Sequence, residues 1–549
     1  MSIEIPNAEG ENIVILESFA SHEVGAHRSA RAVEVGELRA QAAELLAAGF
    51  RLALVSGHDD GLTLRVVYLF LAGGPDQRRE LTVTLPAAEP VLPSLAELSV
   101  PASRFERELH DLFGIIPVGH PMPRRLVRHA HWPAGWYPMR RDAGPPPEFV
   151  DAERFPFLTV EGEGVYEIPV GPVHAGMIGP GHFRFSVVGE TILRLKARLW
   201  FTHRGVEKLF EGLDPVASGR SVELAAAIAG DTSVGHTLAH CLAVEDALGL
   251  AMPAGAQRLR AMLLELERLY HHASDIGALA NDVGFGLANS HAGRIREELL
   301  RINDAVTGHR LLRGAIGVGR ISVRALPDLV RLRALADDLA DVARQTLAKS
   351  MVYERFSGTA VLALRDAVDL GCLGPAARAS GVAVDARVDH PFADLAVAPV
   401  LGEGGDVLAR FTVRRDEFAQ SVELVERLVA EAGPLSYAAD VPADGVRGGD
   451  ARAAGAEDDA RSTASDVRGG AASGVLSAAR SGVGIVEAWR GTVVHRVELD
   501  AAGRLLRAKV VDPSWFNWPA VPVSLTDTIV PDFPLVNKSF NLSYPGNDL

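Results

Sequence analysis

The chain has 549 residues, 48% hydrophobic and 23% charged, the composition of a folded protein of two or three domains. A formal net charge of −15 excludes a general nucleic-acid binder, which needs a basic face to displace counterions. Cys241 and Cys372 are the only cysteines, which excludes a disulfide-stapled secreted scaffold and points to a reducing cytosol.

The opening stretch, "MSIEIPNAEGENIVILES", has no basic region leading into an apolar core, so no signal peptide is expected. Residues 1–150 read as a small α/β domain. "ARAVEVGELRAQAAELLAAGF" has helical periodicity, and "RLALVSGHDDGLTLRVVYLFLAG" reads as two strands turning at Asp60-Gly61. A further strand is expected in "RELTVTLP", and proline and charge mark a boundary in "RDAGPPPEFVDAERFPF". The most apolar run, "LRVVYLFLAGG", falls short of the roughly 20 residues a bilayer demands, so membrane attachment has to come through other subunits.

From residue 165 to 549 the pattern changes to a mainly helical one. A glycine-rich hairpin is expected in "GPVHAGMIGPGHFRFSVVGE", followed by helical stripes over 191–212, 221–249, 295–312 and 328–350. Leu259, Met262, Leu266, Leu269, Ala273, Ile276 and Ala280 line one face of a further helix. Residues 438–480, rich in Ala, Gly, Asp and Arg, cannot bury enough apolar surface to order themselves and read as a disordered insert. The alternating stretch after it, with an "AAG" turn, predicts a hairpin closing on the bundle.

His236 and His240 share a helix face, but no acidic base or CxxC completes a zinc site around them. His271, His272 and Asp275 form a second cluster; adjacent histidines point about 100° apart, so one at most is expected to face the interior. His174 and His182 sit in a glycine-proline loop whose backbone can approach a ligand closely. Arg490 in "EAWRG" offers a fixed planar cation, read without context as a surface ion pair. Asp385, Arg387 and Asp389 read as a solvated loop. No dinucleotide fingerprint is present, so NAD is expected to bind elsewhere.

Several stretches together resemble a known family. "FERELHDLFGIIPVGHPMPRRLVRH" (residues 105–129) resembles the signature of the C component of the NADH–quinone oxidoreductase, complex I. "GPVHAGMIGPGHFRF", "HRGVEKLFEG", "CLAVEDALG" and "ELERLYHHASDIG" resemble its D component. They are still more similar to the large subunit of group 4 membrane-bound nickel–iron hydrogenases such as formate hydrogenlyase, where the C-like and D-like parts are fused. The resemblance implies an α+β protein: a C-like α/β domain, then a helical hydrogenase-large-subunit-like domain with peripheral β-hairpins.

The family's hydrogenases hold nickel and iron through two CxxC pairs, because soft thiolates suit these metals. Aligned on "AVE", the first pair falls on Ala229 and Thr232, and the second falls on Ser543 and Gly546 in "LSYPG". The resemblance therefore implies a vacated metal site, no nickel–iron centre and no hydrogen splitting. Complex I uses the corresponding cavity for a quinone head group. On that likeness His174 or His182 borders the cavity and donates to the reduced oxygen, Asp231 lines it, and Arg490 supplies charge. His272 matches the histidine beside the iron–sulfur cluster of a neighbouring subunit. The tyrosine that complex I places near Gly230 is missing, and the histidine loop is longer here. The implied partners are an iron–sulfur small subunit like the B component of complex I, a ferredoxin-like subunit and membrane subunits, with no nucleic acid. The implied location is cytoplasmic, peripheral on the inner face of the cell membrane. The rival expectation is a catalytically silent scaffold of the same kind of complex.

Overall fold

The computed structural model describes residues 3–6, 12–15, 27–74, 76–151, 155, 157–175, 178–439 and 480–549. Of the expected insert, residues 440–479 lie outside these.

In the first part, β1 (Arg28–Ala32), β2 (Arg51–Asp59), β3 (Thr63–Ala72) and β4 (Gln77–Pro86) form a sheet ordered β1-β4-β3-β2. β1 runs parallel to β4, and the other pairs are antiparallel. The turn at Asp60-Gly61 is as expected, with Gly61 at φ +97 and its N–H donating to Asp59 Oδ1. The stretch read as one helix from Ala30 instead begins inside strand β1, and helix α1 covers only Leu38–Ala47. Pairing with β4 outcompetes the weak local helical pattern there. Helix α2 (Val100–Phe113) packs under the sheet; its Phe113 ring lies where a Cβ on Gly57 would be, so glycine is needed for that approach.

β5 (Val165–Val170), β6 (His182–Val188) and β7 (Thr191–Arg198) make an antiparallel meander. This corrects the helical stripe expected from residue 191. Ser186 pairs with Arg194 but Val187 with Ile192, so Leu193 is an extra, bulged residue. The bulge spaces the buried Ile192 and Leu195 three apart, which imitates a helix in sequence.

Helices α3 (Arg220–Ala226) and α4 (Ser233–Leu248) divide the stripe expected over 221–249, with a turn at 227–232 between them. Then come α5 (Ala254–Asp282), α6 (Gly286–Thr307), α7 (Leu329–Leu347) and α8 (Val407–Ala430). α5 is central, packed by α6 and α8. Both His271 and His272 are buried, because protein surrounds α5 on more than one face, so the expectation of a single interior histidine is corrected. Asp385 and Arg387, expected in a solvated loop, are also buried; they pair at 2.7 Å, and Arg387 reaches Glu265. The compensating charges make that burial tolerable.

β8 (Arg480–Ala488), β9 (Gly491–Leu499) and β10 (Leu505–Val511) form the last sheet. The "AAG" turn joins β9 to β10, and a second tight turn at Trp489-Arg490 joins β8 to β9. β8 lies against α4 with no side-chain layer between them. A Cβ at Gly484 would overlap the Ala239 carbonyl, and one at Gly482 the backbone of Ala243 and Ala247. The polar residues of the alternating pattern are buried in ion pairs that tie this sheet to the N-terminal part. Lys509 bonds Glu108 at 2.8 Å, and Arg496 bonds Glu80 at 3.2 Å. Among the described residues no helix is long and apolar enough to cross a membrane.

Candidate functional site

The turn between α3 and α4 and the start of α4 set the site. Ala229 and Thr232 are buried there, and the first amides of α4 find an unusual acceptor. Glu267 of α5 takes hydrogen bonds from the N–H groups of Val234, at 2.7 Å, and Gly235, at 3.1 Å. This satisfies donors that a helix start leaves free. Burial pushes the Glu267 carboxyl up to about 8. Its titration is thereby moved from the acid range to the neighbourhood of neutral pH, against the pull of the two N–H donors, which favour the charged form.

Asp231 and Arg490 meet across this turn. Arg490 Nη1 donates to Asp231 Oδ1 at 2.9 Å and Nη2 to Oδ2 at 2.5 Å, a bidentate pair. Nη1 also reaches Thr232 Oγ1 at 3.2 Å, and Nε donates to the Asn541 carbonyl at 2.5 Å. One guanidinium thus bridges the segment carrying Ala229 and Thr232 to the segment carrying Ser543 and Gly546. Arg490 is buried, whereas the Asp231 side chain keeps 41% exposure, so the pair opens to the surface on the Asp231 side. Enclosure alone would raise the Asp231 carboxyl; the Arg490 guanidinium overrides it and holds the carboxyl well below the usual range. The surface ion pair expected of Arg490 from sequence is corrected to a buried one, because the β8–β9 turn points inward at the α4 start.

On the far side, Ser543 Oγ accepts from the Gly546 N–H at 2.9 Å. A Cβ at Gly546 would come within 2.6 Å of Asp512 Oδ2. Asp512 in turn accepts from His236 at 3.0 Å, whose other nitrogen faces His495 at 3.1 Å. His240 meets Ser221 at 3.0 Å. Among the described residues no group of three or more His, Cys, Asp or Glu side chains is arranged to hold a metal ion.

A run of rings leads away from the pair. Arg490 lies 3.9 Å over the Trp489 ring, which stacks on His271 at 4.1 Å and 5°. Tyr270 follows at 4.1 Å from His271. The Trp489 indole donates to the Asp231 carbonyl at 2.8 Å. Burial holds His271 well below its usual value, so it is neutral near pH 7. Among the described residues Tyr270 Oη and His271 Nε2 are buried with no hydrogen-bond partner. That is costly unless something else satisfies them.

The loop histidines are tied into their own loop. His174 Nε2 donates to the Gly181 carbonyl at 2.7 Å and His182 Nδ1 to the Gly171 carbonyl at 3.0 Å. Among the described residues His182 Nε2 is left buried and without a hydrogen-bond partner. The loop touches the site through Gly179 and Gly181, which press on Tyr544 between Ser543 and Gly546. No hydrogen bond joins either histidine to Asp231 or Arg490 among the described residues. His272 bonds Glu417 at 2.9 Å inside the buried ion network of α5 and α8.

Sequence reasoning passed over Glu267, Tyr270, Trp489, Asp512 and Tyr544. The signal for Glu267 was a carboxylate within "ELERLYHH", a helix whose apolar residues leave little polar face. Trp489 stood beside an arginine already singled out.

Residues 33–148 match the respiratory-chain NADH dehydrogenase, 30 Kd subunit family, and residues 282–548 the 49 Kd subunit family. Formate hydrogenlyase subunit 5 of Escherichia coli (strain K12) is 30% identical over 480 residues, spanning 85% of this chain and 78% of its own length. This chain belongs to that family. The family's other similar members include hydrogenase-4 component G of the same organism, 30% identical over 82% of this chain and 74% of its own. The fused C/D subunit of the NADH-quinone oxidoreductase of Phocaeicola vulgatus (strain ATCC 8482) is 30% identical over 63% of this chain and 71% of its own. The same fold occurs in the membrane-bound sulfane sulfur reductase, an archaeal respiratory membrane complex. That match has a TM-score of 0.58 at 23% identity and covers 70% of this chain and 99% of the other. The fused C-like and D-like arrangement expected from sequence is thus the arrangement of the family, and the 49 Kd match contains Arg490, Ser543 and Gly546.

Proposed function

We propose that this chain is the peripheral subunit of a membrane-bound oxidoreductase complex in which the former metal pocket takes a quinone-like acceptor. Electrons reach it from an iron–sulfur cluster in a partner subunit. The observation that carries this reading is the Arg490–Asp231 pair at the junction of the two segments. A nickel–iron centre does not fit: Ala229, Thr232, Ser543 and Gly546 offer no soft donor, and a guanidinium stands between the segments.

A quinone fits the polar groups better, since the buried, unpartnered Tyr270 hydroxyl, His271 Nε2 and His182 Nε2 suit a group with carbonyl oxygens. When bound, it supplies a two-electron, two-proton acceptor. The chain's own part is positioning and protonation. Tyr270 donates a hydrogen bond, Arg490 stabilises negative charge, and the stacked Trp489–His271 faces exclude water. His182 donates at Nε2 only when protonated, because its Nδ1 proton is committed to Gly171.

The test is purification of the intact complex from native membranes, with metal and quinone analysis and donor-to-quinone turnover. Substoichiometric nickel, bound quinone and a loss of turnover of at least about tenfold in Arg490→Gln are expected. Unchanged turnover in variants of Arg490, His182 and Tyr270 together assigns the chain to a scaffold. Nickel-dependent hydrogen uptake overturns the reading.

A further inference from the structure

A line of buried polar side chains leaves the far wall of the pocket and runs through the interior to the start of α3. Asp512, whose Oδ2 a Cβ on Gly546 would press, meets His236 Nε2 at 3.0 Å. His236 Nδ1 meets His495 Nε2 at 3.1 Å, and the His495 and His240 ring centroids lie 6.0 Å apart. His240 Nε2 then meets Ser221 Oγ at 3.0 Å. All five side chains are buried, and Ser221 sits directly behind Arg220, which is exposed. The direct packing of β8 on α4 makes the line possible. Gly484 pairs with His495 in register and presses on the Ala239 carbonyl, so His236 and His240, one turn apart on α4, reach a histidine of the middle strand.

The line has a direction. Burial alone would raise the Asp512 carboxyl, but the bond from His236 and the charge of Arg490 hold it below the usual range, so it accepts and His236 Nε2 donates. With His236 neutral, its Nδ1 accepts from His495 Nε2, which leaves His495 Nδ1 a bare acceptor. Burial, reinforced by His236 and His240, holds His495 well below its ordinary value, and burial pushes His240 down to about 4. Both rings are therefore neutral near pH 7. Among the described residues His495 Nδ1 and His240 Nδ1 have no hydrogen-bond partner, and they belong to the rings on either side of the one unbridged step. Rings at this separation are joined by one water that accepts from one nitrogen and donates to the other. A cluster that served packing alone gains nothing from two unpaired polar atoms.

We propose that Ser221, His240, one bridging water, His495, His236 and Asp512 form a proton relay from the surface beside α3 to the pocket. In the resting chain His240 carries its proton on Nδ1, and His495 and His236 carry theirs on Nε2. A proton taken up at Ser221 Oγ releases the hydroxyl proton to His240 Nε2, and the His240 Nδ1 proton passes through the water to His495 Nδ1. The His495 Nε2 proton then moves to His236 Nδ1, and the His236 Nε2 proton to Asp512 Oδ2. One proton enters and one leaves; only N–H and O–H bonds form and break, and no electron travels along the line. Reorientation of the rings resets it. The purpose of the relay rests on the reading of the pocket given above, a site that consumes protons, but its existence is read with no donor or acceptor present.

The experiment labels the histidines of the full chain with heavy nitrogen and reads their tautomers, and the exchange of their N–H protons with solvent, by NMR. Nε2–H is expected for His236 and His495, and Nδ1–H for His240. Ser221→Ala, which removes only a hydroxyl, and His240→Phe should each slow exchange of the His236 Nε2 proton at least about tenfold. The backbone amides of α4 should exchange as in the wild type, a combination that loosened packing cannot produce. A different set of tautomers, or unchanged exchange in either variant, overturns the relay. In the purified complex both variants should lower kcat at least about tenfold, leave KM unchanged and enlarge the solvent deuterium isotope effect. Turnover at the wild-type rate in both also overturns it. A wild-type complex that reduces no quinone overturns the reading of the pocket instead, and the exchange measurement alone then decides the relay.

Discussion

Tyr270 separates a structural role from a ligand role cleanly. Its hydroxyl is buried and has no partner among the described residues, so Tyr270→Phe should change stability by less than about 0.5 kcal/mol, or improve it. Denaturant midpoints check this. The same variant should lower turnover of the complex if the hydroxyl serves a bound acceptor. Arg490→Gln is the opposite case, because it strips Asp231 of the guanidinium that overrides its enclosure. The Asp231 carboxyl should then return upward toward or above the ordinary range, which carbon-detected NMR titration reads directly. At this scale the sequence displayed Asp231 and Arg490, through likeness to a metal-binding relative. It hid Glu267 and Trp489, because what marks them is a hydrogen bond and a stack between elements more than 30 positions apart.

Elements were legible wherever periodicity was undisturbed. The Asp60-Gly61 hairpin and the long α5 stripe stand as read. Two failures have local causes: the Leu193 bulge turned a strand's period of two into three, and the break at 227–232 was passed over because Ala227, Ile228 and Ala229 carry the apolar pattern up to Gly230-Asp231-Thr232, where the chain turns. The sheet β8–β10 taught the larger lesson. Its alternating polar residues signal solvent on one face, yet Lys509, Arg507 and Arg496 are buried against acids from other segments. A pattern of one segment cannot display partners drawn from another. Two substitutions probe this sheet. Gly484→Ala should destabilise the protein by about 3 kcal/mol, since the added methyl overlaps the Ala239 carbonyl and neither backbone can yield. Lys509→Met should cost about 3–5 kcal/mol by leaving Glu108 and Glu207 buried without their shared cation. Urea unfolding measures both.

For the whole molecule, the titrating groups fix how stability follows pH. Burial pushes His58, His129 and His240 down to about 4 from 6.5, so between these values the unfolded chain binds more protons and stability rises with pH. Glu106 and Glu267, pushed up to about 7 and about 8 from 4.5, keep protons that the unfolded chain has lost, so they make stability fall as pH climbs. His271, His272, His390 and His495 are held down in the same way and add to the rise below pH 6.5; above it the histidines are neutral in both states and the raised glutamates dominate. A stability maximum near pH 6.5 is expected, and chemical denaturation from pH 5 to 8.5 locates it. Backbone-to-backbone contact of β8 with α4 has a mechanical consequence. The strand ending at Trp489-Arg490 and the helix starting at Ser233 form one stiff lever, with no soft layer to absorb strain. Any movement at Arg490 must therefore come from rotation of side chains within a rigid frame, and a force that tilts the helix would carry the guanidinium with it.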